Sequence, residues 1–248
     1  MRIAALYDIH GNLPALEAVL EEICGLDVDR IVVGGDVLPG PMPHQTLALL
    51  NGLKMPVQFI YGNGETAVLD EIAGRPNAAV PQQYRPVIQW TAQQLGQEQR
   101  QMLSTWPKTV QLEIAGLGTV LFCHATPRNE NEIFTRRTPE SALLPIFEGL
   151  NVSLVVCGHT HMQFDRTIGS VRVVNAGSVG MPFGEPGANW LLLGPDVQFR
   201  HTHYDPAEAA DRIRHTSYPH AEDFAANNVL QPPSEEKMLN LFARAELK

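Results

Sequence analysis

Five short apolar runs, at residues 3–7, 30–33, 57–60, 119–123 and 154–157, each stop at a side chain that can give a lone pair to a cation. The exits read YDIHGN (Asp8, His10), GGDV (Asp36), YGNGE (Asn63), FCHATP (His124) and CGHTH (His159, His161). A carboxylate or amide just past a buried strand is a poor choice for stability alone. It makes sense where a bound group needs an oxygen ligand. The length and composition of the runs predict buried strands. Between the first two lies NLPALEAVLEEICG, with Leu16, Val19, Leu20 and Ile23 at helical spacing and a closing glycine. PHQTLALLNGL repeats the idea before the third run. This β-α-β-α-β opening predicts a partly parallel sheet. Ligands of open α/β sheets bind beyond the carboxyl ends of the strands, so five neighbouring ends are expected to converge on one crevice.

Further along, residues 82–108 carry a helical pattern and residues 141–150 a second, shorter one. After residue 157 the pattern turns to antiparallel strands: VRVVNAGS, ANWLLLG and VQFRHTHY, with a Gly-Pro-Asp turn at 194–196. Asp205-Pro206 predicts one helix start and Ser234-Glu235-Glu236 another. No repeat is visible. The Pro/Gly-rich pieces at 39–43 and 182–187 read as site loops, since neither divides the chain into separate cores. All 248 residues read as one domain with a helical C-terminal extension from about residue 205.

Two carboxylates, one amide and four imidazoles exceed what one tetrahedral ion needs. They suit two borderline divalent ions sharing a carboxylate, with Asp36 as the bridge and Asn63 as a neutral oxygen ligand. A net charge of −9 without a Lys/Arg cluster argues against long nucleic acid or an anionic membrane surface. A small phosphorylated partner remains compatible, because a bound metal inverts the local field. Cys24, Cys123 and Cys157 are widely spaced, without a CxxC pair, and read as small buried apolar residues in a reducing compartment. The opening MRIAALYDIHGN turns polar too soon for a signal peptide, and no run approaches a membrane span. A cytoplasmic location is expected.

Joined in this order, the pattern DxH…GD…GN…H…GHTH resembles the calcineurin-like metallophosphoesterase superfamily, over most of the chain through VVNAGSVG. DIHGNLPALEAVL, GGDVLPGPMP and GNGETAVL are similar to its bacterial YfcE-type, phosphodiesterase-like branch. The arginine of the protein phosphatases' GDxVDRG motif is missing. The resemblance implies an α/β chain of metallo-dependent phosphatase type, a four-layer α/β/β/α sandwich. It also implies two divalent ions (Mn, Fe, Zn or Ni), the first on Asp8, His10, Asp36 and His161 and the second on Asp36, Asn63, His124 and His159. The implied reaction is hydrolysis of a small phosphate ester, as phosphodiesterase or phosphatase, with a hydroxide bridging the ions as nucleophile. The same resemblance places Asn12, Asn175 and Ser178 in loops that touch substrate, although Asn12 also reads as a helix cap. A non-catalytic binding scaffold and a nuclease share the fold. Seven filled ligand positions favour an enzyme, and the acidic balance disfavours the nuclease.

Two departures stand out. Many relatives read GNHD or GNHE, whose histidine serves as general acid; here the residue is Gly64, and the general acid is unknown. Esters with activated leaving groups are therefore expected to be preferred. Glu65 is the nearest protonatable neighbour, and it reads first as a helix-start carboxylate. Similar proteins often read QPR where this chain has Pro182-Phe183. Phe183 is expected to pack rather than to meet an aromatic substrate. His201 and His203 mimic the GHTH spacing but are expected on one exposed strand face, His44 reads as a helix-start residue, and His215 and His220 lack partners nearby in sequence.

Overall fold

The computed structural model describes residues 1–75 and 80–247. Strands β1 (Ile3–Leu6), β2 (Arg30–Val33) and β3 (Val57–Phe59) run parallel, with Ile3 beside Arg30 and Ile31 beside Val57. Helices α1 (Leu13–Cys24) and α2 (Pro43–Asn51) make the crossovers. Strands β9 (Ala188–Leu193) and β10 (Val197–Thr202) add antiparallel on the β1 side, giving the order β10-β9-β1-β2-β3. A second sheet follows the order β4-β5-β6-β8-β7, from Thr109–Ile114, Gly118–Cys123, Leu154–Cys157, Val171–Asn175 and Phe164–Ile168.

Side-chain alternation stacks these sheets. Ile3, Ala5 and Tyr7 point into a cluster shared with Val120, Phe122, Leu154 and Val156 of the second sheet. Ala4 and Leu6 point the other way, into a cluster with Leu16, Val19 and Leu47 of the helices. The outer face of the second sheet buries Leu121, Val155 and Phe164 against Leu143 and Phe147 of α6 (Glu140–Phe147). The layers are therefore α/β/β/α, because both sheets are apolar on both faces. The chain continues through α7 (Pro206–Arg214), α8 (Ala221–Phe224), a π-helical stretch Ala225–Leu230 and α9 (Glu235–Phe242). Asp205 and Ser234 cap α7 and α9 as their positions predicted.

Several expectations need correcting. The five ligand-bearing runs do not share one open sheet: three end in the first sheet and two in the second, so the crevice spans both. VRVVN is antiparallel to β7 but parallel to β6. The helical stretch of 82–108 breaks into a 3-10 turn (Gln82–Tyr84), α4 (Arg85–Gln94) and α5 (Gln97–Ser104), where Gly96 caps the second helix. The edge strands β4 and β7 lie outside the expected set: β4, TVQLEI, has the strict alternation of a half-buried strand rather than an apolar run, and β7, FDRTI, is polar at its centre. Cys123 and Cys157 are buried, whereas Cys24 is exposed at the end of α1. No helix among the described residues is long and apolar enough to cross a membrane.

Phe122 is fully buried between the sheets. Phe122→Ala is expected to lower unfolding stability by about 3–5 kcal/mol. Denaturant unfolding checks this; a loss under about 1 kcal/mol would mean that the inter-sheet core does not hold the sandwich together.

Candidate metal centre

The strand exits are tied to each other before any ligand enters. Beyond β1 and β2 the backbone keeps pairing: Asp8 N donates to Gly35 O, His10 N to Asp36 O (2.9 Å) and Gly11 N to Val37 O (2.8 Å). In the second sheet, Gly158 N likewise donates to His124 O, and the segment after β8 reaches the β1 exit through Val179 N to Tyr7 O and Gly180 N to Asp8 O. These bonds force sharp reversals at the exits. Apart from Leu247, the described non-glycine residues in the left-handed region are Asp8 (φ 53°), His10 (47°), Asp36 (51°), His159 (67°) and His161 (57°). Such backbone costs on the order of 1–3 kcal/mol per residue. It is concentrated on five of the seven candidate ligands.

The side chains converge in two groups, Asp8/His10/His161 and Asp36/His124/His159. His10 Nε2 lies 3.3 Å from His161 Nε2, and Asp8 Oδ1 lies 3.4 Å from His161 Nε2. Asp36 Oδ2 is 3.7 Å from His10 Nε2, while its Oδ1 is 3.6 Å from His124 Nε2. One carboxylate thus turns an oxygen to each group. Asn63 Oδ1 joins the second, 3.0 Å from His124 Nε2. Spacings of about 3–4 Å suit ligands that share an ion at roughly 2.0–2.2 Å.

Two observations test whether these residues suit cations. Asp8 Oδ1 and His159 Nε2 are buried without a hydrogen-bond partner, although such atoms are costly to leave alone. Three of the imidazoles are also held in one tautomer by backbone carbonyls: His10 Nδ1 to Pro39 O (3.2 Å), His124 Nδ1 to Gly34 O (3.0 Å) and His161 Nδ1 to Met181 O (2.8 Å). A proton on each Nδ1 leaves the Nε2 lone pair free for a metal. The donor set fits divalent ions.

The charges support each other. Burial would raise Asp8, but the facing imidazoles of His161, His124 and His10 hold it well below the usual carboxylate range. Burial opposes protonation of His124 and His161, yet Asp36 and Asp8 raise both. Burial, reinforced by His124, lowers His159 to about 4.

Glu65 and Gly64 brace this arrangement. Glu65 is fully buried at the start of α3 (Asn63–Ile72). It accepts from Asp36 N and Gly62 N (both 2.8 Å) and from Leu38 N (2.9 Å). Burial and the Asp36 carboxylate push its pKa up to about 7, against the Gly62 and Leu38 donors. Both of its oxygens are committed to backbone, so the helix-start reading describes it. Gly64 N donates to Asp36 Oδ1 (2.7 Å), and a Cβ at this position would overlap the Leu38 carbonyl oxygen. Gly35, at φ +91°, is equally constrained: its Cβ would lie 2.7 Å from His124 Nδ1.

Asn12, Asn175 and Ser178, expected in loops that touch substrate, lie directly behind the strand exits. All three are fully buried, with their polar atoms used in the scaffold. Asn12 caps α1 at Ala15 N and donates to Gly180 O (2.9 Å). Asn175 donates to Gly158 O and Thr160 Oγ1, and Ser178 Oγ donates to Asp8 O (2.7 Å). Phe183 packs with Met162 and Leu239, and stacks on His161 at 5.4 Å. His44 bonds Gln99 at the exposed start of α2. His201 is only half-exposed, bonded to Asn189 Oδ1 (2.7 Å), so the expected exposed pair is a partly buried residue beside His203. His220 lines a cavity beside the centre, which its sequence neighbours did not suggest.

Comparison with known proteins agrees with this geometry. The model described as the calcineurin-like phosphoesterase superfamily domain matches residues 1–195. The uncharacterized protein MJ0912 of Methanocaldococcus jannaschii is 28% identical over 198 residues, spanning 73% of this chain and 76% of its own. The hypothetical protein PH1004 of Pyrococcus horikoshii has a similar fold, with TM-score 0.79 at 22% identity over 94% of this chain and 99% of that one. A metallophosphoesterase from Sphaerobacter thermophilus reaches TM-score 0.71 at 27% identity, covering 92% and 99% of the two chains.

Two substitutions probe the bracing. Glu65→Gln leaves at least one buried N–H facing an amide donor, and a stability loss of about 2 kcal/mol or more is expected in thermal unfolding. A neutral result would show that the three bonds contribute nothing. Gly64→His must push the loop off Leu38 and release Asp36. It is expected to weaken Mn²⁺ binding at least tenfold by calorimetry, and tighter binding or a gain in activity would contradict this steric reading.

Proposed function

We propose, because this chain belongs to the calcineurin-like phosphoesterase superfamily and is a hydrolase of phosphate esters, that it cleaves a small ester at two divalent ions. Asp8, His10, Asp36 and His161 would hold one, and Asp36, Asn63, His124 and His159 the other. The observation that carries this reading is Asp36, whose two oxygens face separate ligand groups within one crevice. Divalent ions, when bound, supply Lewis acidity toward phosphoryl oxygen and bring the pKa of a water toward 7. The residues do the rest. Asp8 and Asp36 offset cationic charge in a buried site, and the tautomer-locked imidazoles hold their lone pairs in place without reorganisation.

The position that carries a histidine acid in many relatives is Gly64 here, and Glu65 is sealed in backbone contacts, so neither supplies a proton to the departing oxygen. General acid catalysis typically contributes about 10²–10⁴-fold, so its loss penalises poor leaving groups most. Aryl esters and certain diesters are the expected substrates. The scaffold alternative is disfavoured by the complete donor set and its partnerless buried atoms.

The test is hydrolysis of aryl phosphates and their diesters, spanning leaving-group pKa, by protein stripped with chelator and reloaded with Mn²⁺. Turnover is expected only after reloading, with kcat/KM falling steeply as leaving-group pKa rises. A flat dependence would reveal another proton donor. Inactivity with every divalent ion would favour the scaffold.

A further inference from the structure

A cavity of about 430 Å³ opens beside His10, Asp36 and Asn63, within the roughly 300–1,000 Å³ range of small-molecule sites. One wall comes from α3, the 3-10 turn and α4: Ala67, Tyr84, Val87 and Ile88. A second wall, joined to α4 where Tyr218 meets Trp90, is Tyr218, Asp223, Phe224, Asn227 and Asn228. These five lie beyond residue 195, outside the segment that matches the superfamily model, so that wall is not part of the matched domain.

The chemistry of the walls is selective. Tyr84 is 49% exposed and lines the cavity, where its ring face is open to a ligand. Tyr218 is buried and fixed edge-on by Trp90, with ring centroids 5.4 Å apart, and by Phe224 at 6.1 Å. Asn227 and Asn228 ride on the π-helical stretch, a distortion often found at functional sites. The Asn228 amide can meet the polar edge of a ring, while Asn227 Nδ2 donates to Asp223 Oδ1 (2.8 Å). Among the described lining residues none is Lys or Arg, and Asp223 adds a carboxylate. A second phosphate would face that carboxylate and meet no Lys or Arg, only amides, tyrosine hydroxyls and the His220 imidazole.

We infer that this cavity binds the organic part of the substrate, a flat uncharged aromatic group with a polar edge, on an ester carrying a single phosphate. The inference rests on the proposed reading of the metal centre and specifies its substrate class. Nucleoside monophosphate esters and simple aryl phosphates share this chemistry. Polyphosphates fall outside it.

The test separates the cavity from the metals. Binding of adenosine and of 1-naphthol, which lack phosphate, is measured by calorimetry on chelator-treated wild type, Tyr84→Ala and Asn228→Trp. Wild type is expected to bind at least one of them, and each variant at least tenfold more weakly, with thermal unfolding confirming that the variants fold. Adenosine binding assigns a nucleoside source; naphthol binding alone assigns an aryl one. With Mn²⁺ restored, the ratio of kcat/KM for 1-naphthyl phosphate to that for methyl phosphate is expected to fall at least tenfold in both variants. The inference is overturned if wild type binds neither probe, if both variants bind as tightly as wild type, or if ATP is hydrolysed in preference to the monophosphate. Probe binding without hydrolysis of any ester would leave the cavity standing and sink the metal-centre reading instead.

Discussion

A buried carboxylate shared between two groups of donors is the constraint on which the rest of this molecule depends. Asp36 is 3% exposed, and isolated ionised carboxylates are expensive to bury. It is tolerated because its own N–H is held by Glu65, Gly64 N–H donates to Oδ1, and imidazoles approach both oxygens. Asp8 sits opposite under the same terms, with His159 N–H on Oδ2 (2.8 Å) and no partner on Oδ1. A chain that folds these groups together without anything to coordinate them sacrifices stability. Cations between them remove that penalty.

The scaffold explains how such a cluster is held. Two sheets stacked on a common apolar core bring strand ends from distant parts of the sequence to one edge. The exits then lock by backbone hydrogen bonds, at the cost of left-handed conformations at Asp8, His10, Asp36, His159 and His161. Asn12, Asn175 and Ser178 sit behind these turns and saturate their carbonyls and amides. Placement of ligands on interlocked strand exits gives a site more rigid than free loops could offer.

Much of this was legible in the sequence. The ligand positions follow apolar runs of strand length, and the helices flanking them carry ordinary periodicity, so the first half of the sandwich and all seven donors could be named. Family resemblance implied two stacked sheets, but which runs join which sheet came only from the structure, since buried strands look alike whichever sheet they join. The edge strands β4 and β7 are not apolar runs: β4, TVQLEI, alternates strictly and so offers no continuous apolar stretch, while β7, FDRTI, is polar at its centre, with Gln111, Glu113, Asp165 and Thr167 exposed. Asn12, Asn175 and Ser178 illustrate a different limit: their loops could be named from the sequence, but their burial and their bonds to the scaffold come only from tertiary packing. The aromatic cavity was invisible because Tyr84, Tyr218 and Phe224 are far apart in the chain and meet only through tertiary packing.

The most direct measurement is anomalous diffraction at the Mn absorption edge from crystals grown with excess Mn²⁺. Two peaks about 3.5–4 Å apart are expected, the spacing of shared-carboxylate pairs, with Asp36 between them. A single peak would contradict the bridging role of Asp36. No peak at all, with His159 Nε2 and Asp8 Oδ1 still without partners, would contradict the metal centre itself.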